Sequence, residues 1–101
     1  KSGFTIVVTH LCPKSTGWIK LNSNNPMEHP LINPRILTCE EDIDVLVEAI
    51  KRTRKIMKNE VWKDLVDKEI KPGIDVKNNT LKAWVKEHVD TLYHPVGTCK
   101  M

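Results

Sequence analysis

The chain has 101 residues, 40% of them apolar and 29% charged, and a net charge of +3 with His neutral. That composition is globular and excludes a disordered tail, and the charge is too slight to single out a nucleic-acid partner. No apolar run approaches the ~20 residues of a membrane span, and the three cysteines (Cys12, Cys39, Cys99) show no C-x-x-C spacing and form no framework.

The first segment, "FTIVVTHL" (residues 4–11), is β-branched and apolar between Gly3 and Pro13, which predicts a strand buried on both faces. "CPKSTG" predicts a turn. In "WIKLN" (residues 18–22), Trp18 and Lys20 alternate with Ile19 and Leu21, so a second strand is expected to pair with the first. "SNNPMEHP" reads as a polar loop, and "LIN" before Pro34 holds at most one short strand.

The period then changes. From Glu40 to Lys58 the residues Ile43, Leu46, Val47, Ile50 and Met57 recur with helical spacing. Thr38 and Glu41 read as a capping box at the start. Lys51, Arg52, Arg54, Lys55 and Lys58 crowd the last turns, where cations suit the helix dipole. Asn59 is placed to cap a short helix through Val61, Trp62, Leu65 and Val66, and "KPG" (residues 71–73) predicts a turn. A third helix is expected from Asn79 or Thr80. Its apolar stripe is Leu81, Trp84, Val85, His88, Val89 and Leu92. His94 precedes Pro95, which bars it from helical backbone, so this helix is expected to reach about Tyr93. Strands followed by helices, without alternation, indicate an α+β fold with an antiparallel sheet. Two or three strands are few for such a sheet, so further strands are expected from outside these residues.

The closing stretch "YHPVGTCKM" (residues 93–101) gathers the chemistry. His94 stands on a segment stiffened by Pro95, and pre-organised placement is what a general base needs. Gly97 lets a flat ligand approach the backbone, and Thr98 and Cys99 add a hydroxyl and a thiol. The same residues also fit a plain helix stop followed by a turn. A Cys99–His94 nucleophile pair lacks an orienting third group, which favours a packing role for Cys99. A zinc site from His88, His94 and Cys99 matches no recognised spacing. His88, on an apolar helix face, reads as a packed or hydrogen-bonded side chain, His10 as a strand-end residue and His29 as a loop residue. A basic face of Lys51, Lys55 and Lys58 leaves open a non-catalytic binding module for an acidic partner, though such faces are usually only solvated.

"YHPVGTCKM" is similar to the histidine signature of the glucose–methanol–choline (GMC) family of flavin oxidoreductases. "STGWIKLNSNNPMEHPLINPRILTCEEDIDVLVEAIKRTRKI" also resembles that family: a Ser-x-Gly turn leading a strand, an "NP…HP.I.P" stretch, and an Asp-containing start to a long helix. "GWIKLNS" and "HPLINP" look most like its arthropod glucose-dehydrogenase branch. The resemblance implies an FAD-binding Rossmann-like domain and a substrate domain with a large antiparallel sheet flanked by helices. Residues 1–101 would then be a single partial domain, the C-terminal portion of the substrate domain, and inactive alone. Only Gly3, Gly17, Gly73 and Gly97 are present, so no G-x-G-x-x-G occurs and the FAD-binding half is expected upstream. The resemblance implies an alcohol or sugar substrate oxidised by hydride transfer to flavin N5, with His94 accepting the hydroxyl proton. Tyr93, His94 and Pro95 would lie against FAD, and a second His or Asn is expected beyond Met101. The arthropod branch tilts toward a dehydrogenase that passes electrons to a quinone, and toward secretion.

Overall fold

The longest element, helix α1, runs from Glu40 to Met57 and follows strands β1 (Trp18–Lys20) and β2 (Leu31–Asn33) in the chain. A 3₁₀ turn (Glu60–Trp62) and helix α2 (Leu81–His88) complete the order. The computed structural model describes residues 2–99; Lys100 and Met101, which close the quoted signature, lie outside them.

Helical spacing in the sequence becomes one packed interface. Ile43, Leu46, Val47 and Ile50 of α1 are buried against Leu81 and Val85 of α2, and Val8, Leu37, Val76 and Trp84 close its sides. Lys82 reaches across to Glu40 at 2.9 Å and Asp44 at 2.6 Å. Solvent screens these exposed pairs, so the apolar stripe holds the two helices together. Asn59 caps the 3₁₀ turn as its spacing predicts, accepting from the Val61 amide at 3.1 Å, but the element is a single turn.

Arg54 does more than suit the helix dipole. Its guanidinium donates to both carboxylate oxygens of Glu69 (2.8–3.1 Å), to the Val76 carbonyl (2.9 Å) and to the Gly73 carbonyl (3.0 Å). The loop containing the "KPG" turn is thereby stapled to α1.

Three expectations are corrected. Residues 4–11 form no strand: Phe4, Ile6, Val7 and Leu11 are exposed, Val8 packs on the helical core, and Phe4 lies 6.3 Å from the Trp62 ring. β1 pairs instead with β2, antiparallel, with Ile19 opposite Ile32. A strand buried on both faces needs layers packed over both of them, and the exposed side chains of residues 4–11 have none. The capping box is also absent. Cys39 is the N-cap residue of α1, the Thr38 hydroxyl donates to the Arg35 carbonyl, and Glu41 pairs with Lys14.

The third correction bears on the closing stretch. α2 ends at His88, and Val89 leaves it with ψ 138. Local side chains capture the amides that a longer helix would need. The Asp90 carboxylate accepts from the Thr91 amide at 2.7 Å, and the Thr91 hydroxyl accepts from the Tyr93 amide at 3.1 Å. His88 stacks on Trp84, with ring centroids 4.4 Å apart, and its Nδ1 donates to the Trp84 carbonyl at 3.0 Å. It is hydrogen-bonded, in keeping with its reading from the sequence, and it covers the helix end.

Candidate functional site

The site is built outward from one buried carboxylate. Asp42, the third residue of α1, is 1% exposed and is the single charged side chain buried among the described residues. Its Oδ1 accepts from the Lys14 amide at 2.8 Å and from His10 Nε2 at 3.1 Å. Its Oδ2 accepts from the Ser15 amide at 2.8 Å and from the Ser15 hydroxyl. Because an ionised carboxylate only accepts, Nε2 is the protonated nitrogen of His10. Burial pushes the Asp42 carboxyl pKa up. The donors from Ser15, Lys14 and His10 outweigh burial and lower it from 3.8 to about 2.

This arrangement ties down the residue at which α1 begins. The Ser15 hydroxyl, while donating to Asp42, accepts from the Cys39 amide at 3.0 Å. The start of α1 and the turn at residues 12–17 therefore define each other across more than twenty positions of sequence.

The turn in turn holds the closing stretch. The Gly17 amide donates to the Gly97 carbonyl at 3.0 Å. Glycine is needed at the two positions for different reasons, space at Gly17 and backbone conformation at Gly97. A Cβ on Gly17 would lie 2.3 Å from the Asn33 carbonyl oxygen, and one on Gly97, whose φ is +85, would lie 3.4 Å from the Ser15 carbonyl oxygen. Between residues 12–16 and residues 95–99 lies a shallow groove of about 630 Å³.

Tyr93, His94 and Pro95 form one exposed run leading into this groove, and Pro95 lines it. Tyr93 is 86% exposed and has φ 63, in the left-handed region that non-glycine residues seldom adopt. The expected support for His94, a helix ending one residue before it, is therefore absent. The segment is held from its far side, through Gly97. Cys99 is exposed and lines the groove rather than packing in the core. His10, read as a strand-end residue, is a partner of Asp42. Lys51 of the basic face shares a separate groove with Asp44 and Glu48, so carboxylates interrupt that face. Among the described residues no three His, Cys, Asp or Glu side chains gather as a metal site.

The sequence reading assigned Asp42 no role. A signal was present: Asp42 lies four and eight residues before Leu46 and Ile50, on the buried stripe of α1. A carboxylate there must find hydrogen-bond donors.

Comparison with known proteins follows the same region. Residues 13–101 match the family model described as GMC oxidoreductase. The chain is 40% identical over 100 residues to the alcohol dehydrogenase [acceptor] of Pseudomonas putida, covering 98% of this chain and 18% of that protein. It is 40% identical over 88 residues to the mitochondrial choline dehydrogenase of Homo sapiens, covering 86% of this chain and 15% of that protein. With the oxygen-dependent choline dehydrogenase of Cronobacter sakazakii it shares 35% identity over 100 residues, 98% of this chain and 18% of that protein. No solved structure matches. The chain thus spans less than a fifth of the length of these relatives, and within that span it belongs to the GMC oxidoreductase family.

Proposed function

We propose that this chain is the C-terminal substrate-domain portion of an FAD-dependent oxidoreductase acting on CH–OH groups, with His94 as the proton acceptor. The observation that carries the reading is the exposed Tyr93–His94–Pro95 run, pinned through Gly97 to the turn at residues 12–17. The positive φ of Tyr93 supports it. Such backbone costs about 1–3 kcal/mol and clusters at functional sites.

The residues suit one wall of a flavin site. Tyr93 and Val96 offer exposed apolar surface to a flat ring, and Gly97 adds no side chain between them and the turn. The nucleotide half of the cofactor finds no glycine-rich turn among these residues, so its binding falls to the rest of the protein. When bound, a flavin supplies the two-electron acceptor for the hydride that leaves the alcohol carbon. The chain's own part is proton handling and placement. His94 takes the substrate hydroxyl proton at an imidazole nitrogen as the carbonyl forms. An imidazole suits this because it changes charge near neutral pH. Pro95 stiffens the segment next to His94, and the exposed Tyr93 ring is free to pack on a flat ligand.

The names of the relatives support a small alcohol as substrate. The "GWIKLNS" and "HPLINP" wording supports a sugar and a dehydrogenase with a quinone acceptor. The test uses the purified full-length protein. FAD is expected on denaturation, and anaerobic addition of primary alcohols, choline or aldoses is expected to bleach the flavin, with faster reoxidation by a quinone than by oxygen. A protein that carries no flavin, or whose flavin no alcohol or sugar bleaches, overturns the reading.

A further inference from the structure

We propose that Asp42 is a positioning residue for His94, acting through the turn at residues 12–17 on the closing segment. The inference rests on the reading of His94 given above and extends it to a residue that touches neither substrate nor cofactor.

The path is continuous and mostly backbone. Asp42 fixes the amides of Lys14 and Ser15, each at 2.8 Å. Two residues on, the Gly17 amide holds the Gly97 carbonyl at 3.0 Å. Gly97 lies three residues after His94, and Pro95 between them limits how far the imidazole can swing. On the other side of His94 the described residues hold no comparable anchor, because α2 has already ended at His88. The residues between are held by the short Asp90 and Thr91 bonds to neighbouring amides. The placement of His94 therefore depends on the Gly97 side, and the Gly97 side on Asp42.

The carboxylate is required for a specific reason. Three N–H donors and one hydroxyl converge on two oxygens. An amide of the same shape offers one oxygen and one NH₂ group, so Asp42→Asn sets a donor against the amide of Lys14 or Ser15. Misplacement of a reacting group by about 1 Å costs rate even when binding is unchanged.

In the full-length FAD-loaded protein, Asp42→Asn is expected to slow anaerobic flavin reduction at saturating alcohol by roughly 10- to 100-fold. FAD content stays normal, and amide exchange accelerates in the peptides covering residues 10–18 and 90–99. The milder Ser15→Ala keeps both backbone bonds to Asp42 and loses the hydroxyl alone. It is expected to move both readouts in the same direction by less, and it serves where Asp42→Asn does not fold. The double variant Asp42→Asn/His94→Ala is expected to be no slower than His94→Ala alone, because both changes remove the same base.

A native reduction rate in Asp42→Asn beside a slow His94→Ala overturns the positioning role and leaves the function of His94 standing. Losses that multiply in the double variant overturn it too, since Asp42 would then act independently of His94. A native rate in His94→Ala sinks the reading of the site itself, and this inference with it.

Discussion

Asp42 shows how one residue can set stability and geometry together. Its carboxyl pKa is lowered from 3.8 to about 2, so folding favours the ionised form. The stabilisation is complete above the unfolded value of 3.8 and is lost as pH falls through about 2. It amounts to roughly 2 kcal/mol. Exchange protection of the α1 amides in the full-length protein is expected to fall over that acid window. In Asp42→Asn it is expected to start lower at neutral pH and to stay flat across the window. Equal acid sensitivity of the two proteins would contradict the assignment. The two glycines make a second contrast at this scale. Gly97→Ala places a residue at φ +85 and is expected to cost about 1–2 kcal/mol. Gly17→Ala drives a Cβ to 2.3 Å from backbone that cannot yield without parting β1 from β2, so its loss in unfolding free energy is expected to be the larger.

At the scale of elements, the two helices were legible in the sequence because their burial is local. Ile43, Leu46, Val47 and Ile50 meet Leu81 and Val85 wherever the flanking loops run. Helix ends and strand partners were less legible, since they depend on distant groups. The N-cap residue of α1, Cys39, is held by Ser15, more than twenty residues upstream, and not by the neighbouring Thr38. α2 stops short because Asp90 and Thr91 compete for its amides, although Val89 and Leu92 continue its apolar period. The Arg54 staple is of the same kind. Its five-bond fork to Glu69, Gly73 and Val76 cannot be reproduced by an ammonium. Arg54→Lys is expected to lower the denaturant midpoint by an amount equivalent to about 1–3 kcal/mol and to deprotect residues 69–76 in exchange. An unchanged midpoint and exchange pattern would remove Arg54 as the staple.

At the scale of the whole molecule, the chain is elongated, 60 × 30 × 23 Å, with a radius of gyration of 17.8 Å against about 13 Å for a compact domain of this size. Its two-stranded ribbon leaves Ile19 43% and Ile32 62% exposed, and such a ribbon is marginal in water without further strands or a packed face. These features accord with a chain that spans less than a fifth of its relatives' length. The closing segment, Tyr93 to Cys99, was singled out from its residue types together with its resemblance to the family signature. Its means of support was not legible, because the hydrogen bond between Gly17 and Gly97 spans eighty positions of sequence and leaves no local pattern.

The proposed chemistry depends most directly on His94. The deciding measurement is the rate of anaerobic flavin reduction by a saturating alcohol in the full-length FAD-loaded protein, with and without His94→Ala. Loss of a general base predicts a fall of about 10²–10⁴-fold with FAD still bound. Reduction at the native rate would take His94 out of the reaction, and the function proposed for the closing segment would go with it.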